Sequence, residues 1–395
     1  MVRDTIGGKV LNSIKNRGIL AWLIMAALLA LYITLYFTAE LDGALTGLFG
    51  VARSSAWYAV LYSRWTLYGM LYTIGIVFGG AYMFYKYRHN KYQIVRTSVV
   101  IFVQVFLAFS LPSLLKFLGQ PDYYFSYLWP LKIDYFYPQN ILHQPMPFVI
   151  YSFVGALVAV PILTIFFGKR WYCSWVCGCG GLANTFGEPW RHLSIKSAWA
   201  WRFEKFSIHT VLLVAILTTM FVMLRGFVPG NSGLAEVGYE LQTWYGLIVV
   251  AVLSGVLGTA LYPIGGTRVW CRFFCPMAAL LGLIQKLGRF RITVKRDMCI
   301  SCGMCSTYCE MGIDVRAYAQ ANKSFTRASC VGCGICSEVC PRGVLRLENK
   351  WRRDPQELSM SSFIDESWKR GQTAVSYHTD EVGSLAQTGA CERRS

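Results

Sequence analysis

The sequence predicts a mainly α membrane protein: a polytopic bundle of six helices followed by a small, cysteine-rich α+β domain. Three observations carry that reading. Only 15% of the 395 residues are charged and 54% are hydrophobic, where an ordinary soluble domain carries about 25% charged residues. Six apolar stretches reach the roughly 20 residues that a bilayer crossing needs. After the last of them, eight cysteines fall in two tight runs.

The six spans are expected at about 18–38, 66–85, 95–118, 147–168, 206–228 and 243–263. The stretch 276–290 is too short to span and reads as an interfacial or buried amphipathic helix. The first span follows a basic N-terminus and shows no small-residue cleavage site, so a retained anchor is expected. Residues 351–395 turn polar, lose periodicity and read as a disordered tail.

The loops alternate in basic content. Arg3, Lys9, Lys15 and Arg17 precede the first span; Lys86, Arg88, Lys91 and Arg96 follow the second. Lys169, Arg170, Arg191, Lys196, Arg202 and Lys205 follow the fourth. The intervening loops hold Arg53 and Arg64, then Lys132, then none between 229 and 242. The positive-inside rule therefore places both termini in the cytoplasm of an inner-membrane protein. The net charge of +17 is explained by that alternation, and no nucleic-acid partner is inferred. Every cysteine then falls on the cytoplasmic side. The outer loop 119–146, aromatic and proline-rich, reads as an aromatic belt at the headgroups or as a quinone or partner surface. Asp122, Asp134, His143, Glu236 and Glu240 lie on the outer side as candidate proton acceptors or as plain loop residues. Membrane haem needs facing histidines within helices, and only His209 falls inside a span.

Cys299, Cys302, Cys305 and Cys309 have x2-x2-x3 spacing, and Cys330, Cys333, Cys336 and Cys340 repeat it, with Pro341 after the last. This is the spacing of a bacterial two-cluster ferredoxin, in which the fourth cysteine of each run serves the other cluster. One [4Fe–4S] cluster is thus expected on Cys299, Cys302, Cys305 and Cys340. A second is expected on Cys330, Cys333, Cys336 and Cys309. Gly303 and Gly334 allow the backbone to approach the inorganic sulfurs. Glu310 stands where proline follows the other run, and a carboxylate there would favour the oxidised cluster. Two further pairs, Cys173-x3-Cys177 and Cys271-x3-Cys275, each follow a span and a basic residue with Trp, like halves of an internal repeat. As i and i+4 of a helical turn, each pair would share one face. Three readings stay open for Cys173, Cys177, Cys271 and Cys275. They are a third metal centre, a thiol or copper-handling site, and structural thiols. Cys179 could replace one of the four, and Cys391 reads as inert.

Six helices, "CSWVC", "CRFFCP" and two ferredoxin runs resemble the polyferredoxin-type membrane iron–sulfur proteins over roughly 60–350. These include the NapH-type quinol dehydrogenase subunit, the NosR-type proteins and the CcoG/FixG-type oxidase accessory proteins. The family's first loop usually reads CxxxCP; here Gly178 replaces that proline. The architecture is nearest to the NapH type. The resemblance implies electron transfer between the quinone pool and a partner oxidoreductase or ferredoxin protein, as a quinol dehydrogenase subunit. Alternatives are a respiratory-enzyme assembly factor that reduces or handles a metal ion such as copper, and a redox sensor. The expected division is 1–290 for the membrane domain with its CxxxC loops, 291–350 for the ferredoxin domain and 351–395 for the tail.

Overall fold

The computed structural model describes residues 17–38, 40–49, 63–121, 123–225 and 233–351. Arg3, Lys9, Lys15, Arg53, Asp122, His378, Cys391 and the tail from 352 lie outside the described residues, as do the expectations placed on them. The described residues through Asn349 belong to one compact unit.

Among the described residues, six helices are long and apolar enough to cross a membrane. They are α1 (Ile19–Phe37), α2 (Arg64–Lys86), α3 (Lys91–Phe117), α4 (Met146–Phe167), α5 (Ala198–Arg225) and α6 (Glu236–Ala260). The chain is a multi-pass membrane protein. Large apolar side chains such as Phe78, Phe106, Leu157 and Phe206 are exposed on the helix surfaces, where lipid covers them. Local chemistry sets the starts of two helices. Ser63 caps α2 by accepting from the Thr66 N–H, and Asn90 caps α3 by accepting from the Tyr92 and Gln93 N–H groups.

Three membrane helices contain π-helical stretches, at Val103–Ser110 in α3, Gly155–Ala159 in α4 and Tyr245–Leu257 in α6. Such widened turns tend to occur at functional sites. The expected apolar helix after α6 is α7 (Pro276–Gln285), and it is buried: Met277, Leu281 and Gln285 are fully enclosed. Beyond it, β1 (Phe290–Val294) and β2 (Leu345–Asn349) pair antiparallel, with Phe290 opposite Asn349 and Val294 opposite Leu345. The two ferredoxin runs lie between these strands.

The loop between α3 and α4 does not lie as a belt around the bundle. It turns inward. Tyr123, Leu128, Ile133, Tyr135, Phe136 and Tyr137 are buried. Tyr123 stacks on Tyr135 at 4.6 Å and its hydroxyl meets the Ser152 hydroxyl on α4 at 2.6 Å. Further in, Trp129 Nε1 donates to Thr219 Oγ1 on α5. Tyr172, past the far end of α4, donates to the Ser126 carbonyl at 2.8 Å. The segment is therefore re-entrant. Non-helical backbone at membrane depth is tolerated only where protein buries it or it lines a cavity, and here it does both.

Candidate metal centres

Cys299, Cys302, Cys305 and Cys340 line one small cavity. The Cys336 thiol is pushed well up by burial and then by its neighbours Cys333, Cys330 and Cys309. The fourth thiol of each run thus sits with the first three of the other. Gly303 and Gly334 both have left-handed backbone, with φ of 79° and 82°, each opening a short helix. Glycine adopts that conformation without the steric cost of a Cβ.

The other four thiols also converge. Cys173, Cys177, Cys271 and Cys275 are buried. Cys275 is raised by burial and then by Cys271, Cys177 and Cys173. The two loops are built alike. Cys173 ends a short helix (Arg170–Cys173) and Cys177 caps the next (Gly178–Asn184). Cys271 lies in Val269–Phe273 and Cys275 caps α7, its Sγ accepting from the Ala278 N–H. The Cys177 N–H donates to the Tyr172 carbonyl as the Cys275 N–H does to that of Trp270. The members of each pair therefore face one another across a helix-to-helix turn, not along one helical face as the i,i+4 spacing suggested. Cys179 hydrogen-bonds Cys177, and this bond draws the Cys177 thiol down to about 7.

Among the described residues, no three His, Cys, Asp or Glu side chains close tightly enough to hold a single metal ion. Cys299, Cys302, Cys305 and Cys340 instead line a small cavity, as a multi-iron cluster with one thiolate per iron requires. Burial pushes the Cys305, Cys330 and Cys173 thiols up to about 12. Ligation must therefore displace their protons.

Between these thiol groups runs a buried charge network that the sequence did not reveal. Glu310 pairs with Arg191 at 2.8 Å and with Arg268 at 3.2 Å. Arg191 also pairs with Glu188 at 2.5 Å, and its Nη1 lies 3.7 Å from Cys333 Sγ. Arg268 donates to the Cys173 carbonyl at 3.1 Å and lies 3.7 Å from Cys271 Sγ. Arg96 donates to the Cys333 carbonyl at 2.8 Å, and the buried Lys169 ammonium to that of Ala328. Burial works against the Glu310 carboxylate, but Arg191, Arg268 and Arg96 hold it below the usual carboxylate range. The Glu310 carboxylate, expected to favour an oxidised cluster, thus sits among surroundings that carry more cation than anion. Arg96, Lys169 and Arg191 read as loop charges in the sequence, because burial cannot be seen in a charge count.

The ferredoxin segment is docked through polar contacts. Ser174 Oγ donates to the Val331 carbonyl at 2.7 Å. Gln285 donates to the Arg327 and Cys330 carbonyls and accepts from the Lys169 N–H at 2.6 Å. Phe290 packs where Gly168 and Gly332 leave room for its ring.

Gly178 is also explained. A Cβ there would lie 2.5 Å from the Tyr127 hydroxyl and 2.8 Å from that of Tyr72. The re-entrant segment occupies the space that a proline would take.

The remaining candidates separate clearly. Asp134 and His143 line a large cavity together with Cys179 and Cys271. Glu236, Glu240 and His209 are exposed on helix surfaces.

A sequence-family profile described as a 4Fe-4S dicluster domain matches residues 292–347. A second, described as a 4Fe-4S binding domain, matches twice, over 149–196 and 245–295. Each copy of the second match contains one CxxxC loop. In these cysteine-bearing regions the chain is similar to polyferredoxin-type membrane iron–sulfur proteins. Similar proteins include the putative electron transport protein YccM of Escherichia coli, 24% identical over 40% of this chain and 46% of that protein. The regulatory protein NosR of Pseudomonas aeruginosa is 26% identical over 43% of this chain and 23% of its own length. The methylamine utilization ferredoxin-type protein MauN of Paracoccus denitrificans is 26% identical over 40% of this chain and 54% of that protein. The chain thus spans about half or less of these three relatives. No solved structure matches it.

Proposed function

We propose that this polyferredoxin-type protein passes single electrons between the membrane quinone pool and a partner oxidoreductase or ferredoxin protein, as a quinol dehydrogenase subunit. One observation carries the reading. Cys173, Cys177, Cys271 and Cys275 share one packed core with every cysteine of the two ferredoxin runs except the exposed Cys302. The loop bearing Cys173 and Cys177 touches the ferredoxin segment through Ser174 and Val331.

In this reading Cys299, Cys302, Cys305 and Cys340 hold one [4Fe–4S] cluster. Cys330, Cys333, Cys336 and Cys309 hold a second, and Cys173, Cys177, Cys271 and Cys275 a third. Bound there, such clusters accept and release one electron at a time. Arg191 and Arg268 supply fixed positive charge beside Cys333 and Cys271, which favours the more negative, reduced state of a group held there. Gln285, Ser174 and Lys169 fix the ferredoxin segment against the CxxxC loops. Residues 1–290, 291–350 and 351–395 act as membrane domain, ferredoxin domain and tail. The thiol end faces the cytoplasm of an inner-membrane protein, as the loop charges favour.

A second reading rests on Cys179, a fifth thiol hydrogen-bonded to Cys177. Soft thiolates select Cu(I), which suits an assembly factor that handles or reduces a metal ion.

Iron and acid-labile sulfide per chain, measured on protein purified without oxygen, test the assignment. About twelve irons are expected, and Cys173→Ala should lower the count to about eight while the ferredoxin clusters remain. About eight irons in the unaltered protein, with tight Cu(I) binding lost in Cys173→Ala, would favour the second reading.

A further inference from the structure

A cavity of about 720 Å³ runs through the membrane part of the molecule. Its walls come from α1, α2 (Tyr72), α3 (Gln104), α6 (Ser254) and the re-entrant segment (Tyr124, Tyr127). One end carries Lys116, Lys132, Asp134 and His143; the other is closed by Cys179, Trp270 and Cys271. The volume is that of a small-molecule site, where about 300–1,000 Å³ is usual. The π-helical stretches of α3 and α6 both contribute to its wall.

Its thiol end is not chemically complete. Trp270 Nε1 and Thr267 Oγ1 have no hydrogen-bond partner among the described residues. Both residues line the cavity, and they are only 4% and 2% exposed. An indole N–H can only donate, so its missing partner is an acceptor. Leaving such a buried donor dry is costly. Nearby, Gln104 is locked by Tyr72 at 3.1 Å and by the Val176 carbonyl at 2.6 Å. The ligand that fits has a flat ring to lie among tyrosine rings, carbonyl oxygens to accept from Trp270 and Thr267, and enough lipid solubility to reach membrane depth.

We propose that this cavity binds the ring of a membrane quinone, with a carbonyl oxygen accepting from Trp270 Nε1 and Thr267 Oγ1 beside Cys179 and Cys271. This assignment rests on the quinone-pool reading above and adds the place of binding. The re-entrant segment then has a purpose: it supplies Tyr124 and Tyr127 to a wall that the helices alone leave open.

The test is photolabelling of the full-length holoprotein in nanodiscs with a short-tailed azido-ubiquinone, followed by peptide mapping. Label is expected on residues 121–135 or 250–271 and should be competed by unlabelled quinone. Ser254→Phe, which fills the cavity, should abolish it. Trp270→Phe keeps the ring shape and loses one buried hydrogen bond, so competition should need about tenfold more quinone. Label confined to lipid-facing helix surfaces, label displaced equally by phospholipid, no label at all, or unchanged labelling in both variants would overturn the site. Anaerobic quinol titration of the visible cluster absorbance in the unaltered protein is read in parallel. Bleaching without cavity label sinks the site and leaves the proposed function. Competed cavity label without bleaching by any quinol sinks the function and leaves the site.

Discussion

At the residue scale, Glu310 decides whether two buried arginines are tolerated. Its carboxylate meets both Arg191 and Arg268. Removing one partner of a buried ion pair costs about 3–5 kcal/mol, because the other charge stays buried alone. Glu310→Ala should therefore lower the apparent unfolding temperature of the detergent-solubilised protein sharply, and adding Arg191→Met should recover part of the loss. An unchanged transition in Glu310→Ala would show that the network contributes little. Glu188 allows a pH test. Burial opposes its charge, but Arg191, the Tyr87 hydroxyl at 2.7 Å and Lys86 at 3.0 Å hold its pKa below the ordinary 4.5. A depressed carboxylate contributes stability above its unfolded pKa and loses it as pH falls through the folded value. The difference in unfolding temperature between the unaltered protein and Glu188→Gln should be full at neutral pH and should shrink below about 4.5. A difference that grew on acidification would contradict the pairing.

At the element scale, α7 is the hinge of the construction. Its sequence is apolar and too short to span, and its last residue, Gln285, joins three backbone groups from two other segments. Gln285→Leu keeps the volume and leaves those groups unsatisfied, each costing about 1–3 kcal/mol. Faster amide hydrogen exchange is expected across 327–333 and 168–171, with α1 and α5 unaffected. Equal protection in the variant would mean that packing around Phe290 alone docks the ferredoxin segment. The re-entrant segment shows the limit of pattern reading at this scale. Its tyrosines suit an interface as well as an interior by composition, and only the partners of Tyr123 and Trp129 distinguish the two.

At the scale of the whole molecule, the thiol groups gather at one end and the cavity mouth carries Lys132 and His143 toward the other. If the loop charges set orientation, a membrane-impermeant maleimide should label Lys323→Cys only in inside-out vesicles. It should label Leu142→Cys, at a position 82% exposed, only in right-side-out vesicles. The reverse pattern would invert the topology and place the clusters outside.

Six spans, the ferredoxin runs and the repeated CxxxC loops can all be read from the amino-acid sequence. Each of these is local: a span is a matter of length and hydropathy, and a cluster motif is a matter of spacing along the chain. Tertiary structure alone decided the rest. It brought Arg96, Arg191 and Arg268 together from three distant segments around Glu310. It folded the α3–α4 loop into the bundle until Tyr127 filled the place beside Gly178. It also left Trp270 and Thr267 facing a cavity without side-chain hydrogen-bond partners among the described residues. Burial and unmet hydrogen bonds depend on what packs against a residue, and the residues that do so here lie far away in the chain.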